Sequence, residues 1–184
     1  MKQKSPILPY ANSGAGYIAY DRGAIDVAAA VGLLIENVAP WVKVEHIGST
    51  AIPGCAGKGI VDVMVMYPPN RLELTRAAID ALGFQRQKTG HIFPEERPMR
   101  VGAMEHGGRR YRLHAHVIVT TSPEVESLRR FRDLLCADSA LRDAYQDKKR
   151  AIVHSGVREP RAYTQAKGEF ITSVIGNGPA RTAG

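Results

Sequence analysis

The sequence predicts an α/β (α+β) fold: a mixed β-sheet with helices packed on it and a C-terminal helical segment. Three observations support this: a β-branched run over 60–67, a hairpin pattern over 99–119, and helical spacing of apolar residues elsewhere. The 184 residues, 44% of them hydrophobic, suffice for one well-buried domain and are few for two. We therefore expect one domain over 1–184, with an irregular arm over 1–15 and a flexible tail over 176–184.

The first third of the chain predicts a helix, a short strand, a loop and a buried strand. Apolar residues at near-helical spacing indicate a helix over 21–38, which Pro40 ends. Alternation indicates a strand over 42–47, and a Gly- and Pro-rich loop follows over 48–59. The nearly continuous apolar run over 60–67 is typical of a strand buried on both faces.

The middle of the chain predicts a helix and then a β-hairpin. The helix covers 72–82, and Gly83 stands where a left-handed cap would lie. The hairpin strands cover 99–105 and 109–119, and two adjacent glycines between them supply the positive φ angles of a tight turn. Three helices follow: one opening at the capping sequence Ser-Pro-Glu over 122–124, one over 139–153, and one after Pro160.

Composition limits the compartment and the class of partner. The net charge of +7 favours phosphorylated or polyanionic partners without requiring them. No apolar run approaches the roughly 20 residues of a membrane span, and the start of the chain lacks a secretory signal. Cys55 and Cys136 form no CxxC motif, which fits a reducing compartment. We expect a cytoplasmic protein with no membrane partner.

One acidic residue, Asp62, interrupts the buried strand. A buried carboxylate loses several kcal/mol of solvation unless a cation, a metal ion or several donors lie nearby. One interpretation is a structural aspartate bonded to loop amides or to Lys58. The other is a metal-binding acid behind a phosphate-binding loop formed by Gly48-Ser49-Thr50 and Lys58.

A second polar group lies on the second strand of the predicted hairpin. Alternation places Arg112, His114 and His116 on one face of that strand. His-x-His on a strand can hold a metal ion or contact phosphate, because side chains at i and i+2 converge. The alternative is a solvent-facing polar surface, which is common in antiparallel hairpins.

These motifs resemble the GrpB-like family, a branch of the nucleotidyltransferase superfamily. The resemblance starts with EHIGSTAIPG over 45–54, Lys58, IVDV over 60–63 and LHAHV over 113–117. It continues in the C-terminal helices, with FRDLL over 131–135, Tyr145 with Lys148 or Lys149, YTQAK over 163–167, and Phe170-Ile171. It covers residues 16 to 175 or so.

The resemblance implies a nucleotidyltransferase-like mixed sheet with an active-site cleft along one face. In that superfamily a Gly-Ser turn grips the triphosphate and strand carboxylates hold a divalent metal ion. Gly48, Ser49 and Asp62 fit the pattern, but Met64 stands where the second acid belongs. Three hypotheses remain open for the missing acid. Glu45 or another carboxylate takes its place as a metal ligand, or His114 and His116 complete a site for manganese or zinc, or the cleft binds nucleotide without catalysis.

The preferred hypothesis is a metal-dependent nucleotidyltransferase that moves a nucleotidyl group from an NTP to a small acceptor. Asp62, His114 and His116 are its candidate catalytic residues, and Asp62, Glu45 and His116 its candidate metal ligands. The expected cofactor is Mg²⁺ or Mn²⁺, with Zn²⁺ as an alternative. The candidate nucleotide- or phosphate-binding residues are Gly48, Ser49, Thr50, Lys58, Arg112, Arg132, Tyr163 and Lys167.

The alternative hypothesis is a non-catalytic nucleotide- or cofactor-binding module that acts with a partner enzyme. A nucleic-acid partner is not expected, because acidic residues are mixed with the basic ones and no aromatic-basic stacking platform is visible. The residues predict no oligomeric state.

Overall fold

A computed structural model describes residues 5–11, 17–88, 92–154 and 160–177, without the side chains of 153, 154, 160–167 and 177. Its helices are α1 (Gly23–Val38), α2 (Leu72–Ala81), α3 (Pro123–Ala137), α4 (Ser139–His154) and α5 (Pro160–Asn177). Its strands are β1 (Lys43–Ile47), β2 (Ile60–Tyr67), β3 (Gln85–Arg86), β4 (Met99–His106) and β5 (Arg109–Val119). The predicted mixed sheet with packed helices and a C-terminal helical segment is confirmed.

The five strands form one sheet in the order β1-β2-β5-β4-β3. β2 and β5 are parallel, and the other neighbouring pairs are antiparallel. β2, the predicted buried strand, lies between β1 and β5 and has the predicted bounds. The order therefore places the strand that carries Asp62 directly beside the strand that carries the two histidines.

The two faces of β2 contact different cores, as alternation predicts. Val61, Val63 and Val65 pack in the cluster that includes the apolar face of α1. Met64 and Met66 face the other side, in a cluster with residues of β5 and α3. Asp62 lies on this second face, near the N-terminal end of β2 and next to the apolar cluster. The C-terminal helices form a third cluster against the loop before β2.

The hairpin between β4 and β5 has the predicted two-residue turn. Gly107 and Gly108 have φ angles of 56° and 73°, the positive values that such a turn requires. Sequence patterns missed two short elements, β3 and a 3₁₀ turn at Ser49–Ala51. Elements of two or three residues are too short to show a periodicity.

The N-terminal segment 5–11 lies along the edge of β4. Leu8 forms an antiparallel bridge with Ala103, and the Ile7 amide donates to the Leu82 carbonyl at 3.2 Å. The predicted arm over 1–15 is thus bonded to the sheet where the structure describes it. Most of the predicted tail over 176–184 lies outside the described residues. Among the described helices, none combines the length and apolar character that crossing a membrane requires.

Candidate metal and phosphate site

Three potential metal ligands meet where β2 and β5 run side by side. In the parallel register Asp62 is opposite His114, and Met64 is opposite His116. Nδ1 of His114 lies 3.3 Å and Nε2 of His116 lies 3.4 Å from Oδ1 of Asp62. Among the described residues, these are the one set of three or more His, Cys, Asp or Glu side chains whose ligand atoms all lie within 4.8 Å of one another.

The spacing of these donors fits a borderline transition metal. Zinc bonds of 2.0–2.1 Å in a tetrahedron place neighbouring ligand atoms about 3.3 Å apart, close to the separations between Asp62 and the two imidazoles. Mg²⁺ instead favours oxygen ligands in an octahedron. Met64, at the position of the second acid, is fully buried and offers no oxygen. The residues therefore fit Mn²⁺ or Zn²⁺ better than a magnesium ion held by two carboxylates.

The charge states of the cluster suit metal binding. Burial of Asp62 opposes its ionisation, but hydrogen bonds and charge interactions with the two imidazoles hold the carboxyl pKa well below its usual value. Burial lowers the pKa of His116, partly offset by the nearby carboxylate. At neutral pH the cluster thus offers an ionised carboxylate and a neutral imidazole, the forms that bind metal.

Gly48 touches this cluster directly. It has φ 72° and ψ −172°, a region essentially reserved for glycine. A Cβ at this position would lie 2.6 Å from Oδ2 of Asp62. The glycine of the predicted phosphate loop is therefore needed for two reasons: backbone conformation and close approach of the carboxylate.

The hydroxyl of the next residue, Ser49, and the ammonium of a buried lysine both lie close to Gly57. A Cβ on Gly57 would lie 2.7 Å from the Ser49 hydroxyl oxygen and 3.4 Å from Nζ of Lys149. Gly57 therefore lies against both groups: a methyl group at this position would collide with the Ser49 hydroxyl, and the Lys149 ammonium stands next to it. Hydroxyl and ammonium are both groups that bind phosphate oxygens.

Lys149 reaches this position from α4 and is only 2% exposed. Its ammonium donates to the Ala56 carbonyl, lies 3.3 Å from the Cys55 sulfur, and stands 4.3 Å from the centre of the Tyr145 ring. Gln146 accepts from the Ala56 amide at 2.9 Å. In the sequence, Lys149 belongs to the family resemblance and to the dispersed basic residues of the C-terminal helices, and it is not among the predicted site residues. A lysine within a charged helix shows no sign of burial until the loop before β2 is folded against it.

Thr50, a predicted phosphate ligand, faces inward. Its hydroxyl donates to the Ile60 carbonyl at 3.1 Å and accepts from Nε2 of His46 at 2.9 Å. Burial is the main cause that lowers the pKa of His46, to about 4. The His46–Thr50 pair thus ties the start of the loop to β2.

The buried His46 predicts a loss of stability in mild acid. Between pH 6.5 and pH 4 the unfolded chain binds a proton on this imidazole that the folded protein does not bind. The resulting stabilisation is fully present above pH 6.5, and as the pH falls toward 4 about 3 kcal/mol of it is lost at most. We expect His46→Gln to show a flatter pH dependence in urea unfolding between pH 7 and pH 4.5. Equal slopes for both proteins would contradict the assignment.

The structure does not bring Glu45 to the three donors. Its carboxylate is bound by the guanidinium groups of Arg129 and Arg132, at 2.5 Å and 3.2 Å. Hydrogen bonding from Arg129, joined by the charges of both arginines, lowers the pKa of Glu45 against the opposing effect of burial. Arg132, predicted to bind phosphate, also contacts Asp133 and the His46 carbonyl. These interactions attach α3 to β1.

Four predicted phosphate-binding residues remain: two lie at the loop before β2 or next to it, and two lie on α5. Arg112 lies on the same strand as the two histidines and donates to the Lys58 carbonyl at 2.6 Å, which fixes the end of the loop. The Lys58 side chain is half-buried. The side chains of Tyr163 and Lys167 lie outside the described residues, although both positions fall in α5.

Two aromatic residues that the sequence analysis did not name stand beside the histidines. The Tyr10 hydroxyl is 3.3 Å from Nε2 of His114, and the two ring centres are 5.7 Å apart. Phe93 meets His116 edge-on at a centre-to-centre distance of 5.7 Å. Both aromatics come from segments without regular structure. No periodicity in those segments could have placed them at the site.

The family model described as GrpB protein matches residues 19–177. The chain belongs to the GrpB family. Similar sequences include UPF0157 protein SCO7215 of Streptomyces coelicolor, 32% identical over 77% of this chain and 71% of its own length. UPF0157 protein BH1888 of Halalkalibacterium halodurans is 26% identical over 73% of this chain. UPF0157 protein PA4798 of Pseudomonas aeruginosa is 28% identical over 78%. The aligned part spans 66% and 58% of the lengths of these last two relatives.

Solved structures place this GrpB-family chain among nucleotidyltransferase-like folds. The crystal structure of GrpB from Enterococcus faecalis has a TM-score of 0.66 at 18% identity and covers 88% of this chain and 98% of its own. The GLD-2/RNP-8 complex gives a TM-score of 0.59 at 11% identity, over 90% of this chain and 55% of that one. Cid1, described with RNA terminal uridylyl transferase activity, gives 0.51 at 11% identity, over 73% and 43%. At these identities the likeness concerns the fold.

Proposed function

We propose that this GrpB-family protein is a metal-dependent nucleotidyltransferase that acts on a nucleoside triphosphate and a small acceptor. The observation that carries the proposal is the convergence of Asp62, His114 and His116 beside Gly48 and Ser49. A possible metal-ligand set in contact with a Gly-Ser turn supports triphosphate binding, because the metal ion and the turn would bind the same phosphates. The fold of the structural neighbours supports this assignment.

In the proposed reaction the acceptor oxygen bonds to the α-phosphorus, the bond from that phosphorus to the bridging oxygen of the β-phosphate breaks, pyrophosphate leaves, and the hydroxyl proton passes to solvent water. A bound divalent ion would supply charge neutralisation for the departing pyrophosphate. Asp62 and the two imidazoles would hold that ion, with Mn²⁺ or Zn²⁺ preferred by this donor set. Ser49 and Lys149, which both lie next to Gly57, would bind phosphate oxygens. Positioning and charge are the main contributions that a protein makes to such transfers.

One observation favours a second candidate function. Met64 replaces the second acid of the superfamily pattern and is fully buried, so it leaves the cluster with one carboxylate. A cluster with one negative charge neutralises less of a metal ion's charge than two would. The candidate is a non-catalytic nucleotide- or cofactor-binding module acting with a partner enzyme.

Labelled nucleotides distinguish the two candidates. Purified protein is incubated with each of the four NTPs in the presence of Mg²⁺, Mn²⁺ or Zn²⁺, with and without a small-molecule cell extract as acceptor source. We expect metal- and extract-dependent release of pyrophosphate, largest with Mn²⁺ or Zn²⁺. Saturable binding without pyrophosphate release would select the binding module. Absence of nucleotide binding under every condition would refute both.

Lys149 allows a direct test of the phosphate half of the site. Lys149→Met fills the buried position but removes the ammonium that donates to the Ala56 carbonyl, so we expect a lower thermal midpoint with the fold retained. Its affinity for inorganic tripolyphosphate, measured by calorimetry, should fall about 10-fold or more, as expected for the loss of a charged phosphate contact of 1.5–3 kcal/mol. Lys148→Met, at the exposed neighbouring position, is the matched control and should bind normally. Equal affinity in both variants would restrict Lys149 to a structural role.

A further inference from the structure

His114 has a different partner on each of its two ring nitrogens. Nδ1 faces Oδ1 of Asp62 at 3.3 Å, and Nε2 faces the Tyr10 hydroxyl at 3.3 Å. A neutral imidazole carries one proton, so the nitrogen that binds a metal ion must leave that proton on the other nitrogen. The group that accepts a hydrogen bond from the protonated nitrogen therefore influences how well the other nitrogen binds a metal ion.

We propose that Tyr10 is a positioning residue of the metal site: its hydroxyl oxygen accepts a hydrogen bond from the Nε2–H of His114 and so leaves Nδ1 unprotonated for the metal ion. This inference rests on the proposed metal site and adds a residue to it. A phenol hydroxyl suits the task, because it donates to Nε2 when Nδ1 is protonated and accepts from Nε2 when Nδ1 is bound. Partners of this outer kind typically change metal affinity by about 10–100-fold.

The N-terminal segment is attached in a way that holds Tyr10 in place. The Leu8 amide and carbonyl pair with those of Ala103 at 2.8 Å and 2.9 Å. The Pro9 carbonyl accepts from Arg110, and the Tyr10 amide donates to the Gln85 side chain at 3.4 Å. These bonds fix the backbone up to the Tyr10 amide, so the Tyr10 ring is held where it can orient the His114 imidazole.

The Tyr10 hydroxyl has a second polar neighbour besides His114, the Arg112 guanidinium. Arg112 lies against the same hydroxyl and on the same strand as His114. The Tyr10 oxygen therefore contacts both Arg112 and His114, two residues of the polar face of β5. It contacts His114 at Nε2, the nitrogen that does not bind the metal ion in this proposal.

The test compares Tyr10→Phe with wild-type protein. The phenylalanine keeps the ring that contacts His114 and removes only the hydroxyl. We expect Zn²⁺ affinity, measured by competition with a chelator, to fall about 10-fold or more with an unchanged thermal midpoint. Tyr17→Phe is the matched control, because the Tyr17 hydroxyl is buried without a hydrogen-bond partner among the described residues.

Nitrogen NMR of the zinc-loaded protein reports which ring nitrogen of His114 binds zinc and whether the other carries a protected proton. Neither would change in Tyr10→Phe if Tyr10 only stabilised the fold. Wild-type His114 should bind zinc through Nδ1 and show a protected Nε2 proton, and Tyr10→Phe should lose that protection. Zinc binding through Nε2, or an unchanged affinity and Nε2 proton in Tyr10→Phe, would overturn the inference while leaving the metal site standing. Wild-type protein that binds neither Zn²⁺ nor Mn²⁺ would refute the proposed metal site and this inference together.

Discussion

Replacing Asp62 with asparagine is expected to abolish the proposed metal-dependent transfer and to reduce Mn²⁺ and Zn²⁺ affinity by at least about 100-fold. The carboxylate is the one anionic donor of the Asp62–His114–His116 cluster, and both imidazole nitrogens converge on its Oδ1. An amide of the same shape keeps the packing and removes the charge. The charged ligand atom is lost while the two imidazoles remain, and a 100-fold loss of affinity corresponds to about 2.7 kcal/mol.

Affinity is measured by equilibrium dialysis or calorimetry, with circular dichroism to verify the fold. Asp147→Asn is the control, since that carboxylate lies on α4 with 72% of its side chain exposed and pairs with Arg150 at 3.3 Å. The control should bind metal normally. Asp62→Asn protein with unchanged affinity would show that the carboxylate is structural, the other interpretation of an acid in this strand.

Replacing Gly48 with alanine is expected to damage both stability and binding. The added Cβ would lie 2.6 Å from Oδ2 of Asp62 and 3.1 Å from its Cβ, so the aspartate must move. The backbone conformation adds strain, which is about 1–3 kcal/mol for such regions. We expect a loss of stability of that size or larger and a loss of metal affinity similar to that of Asp62→Asn.

Gly107→Ala separates the two causes. Gly107 also has a positive φ, 56°, but a Cβ there would meet nothing within 4 Å. This control should lose some stability and keep full metal affinity. If Gly48→Ala also retained wild-type metal affinity, the contact between Gly48 and Asp62 would have no bearing on the site.

Local sequence signals were sufficient for the elements and for the faces of the central strand. The β-branched run gave β2 its bounds, and alternation placed Asp62 on the face of Met64 and Met66. Two adjacent glycines gave the hairpin turn. Each of these signals depends on residues close together in the chain, where propensity and periodicity act.

The composition of the candidate site depended on contacts between distant residues. Asp62 and His114 are 52 positions apart, and they meet because β2 and β5 are parallel neighbours, an arrangement that no local pattern specifies. Glu45 was a reasonable candidate ligand until α3 placed Arg129 and Arg132 against it. Lys149 and Tyr10 come from opposite ends of the chain, and their positions followed only from packing.

By itself the sequence determined the longer helices and strands, the family, and the acid and histidines at the centre of the candidate site, because those features depend on short contiguous patterns. Only the tertiary structure decided which side chains meet there and which are held elsewhere by ion pairs. The physical reason is that pairing of distant strands and docking of helices depend on the whole buried surface. A motif carries no information about that surface.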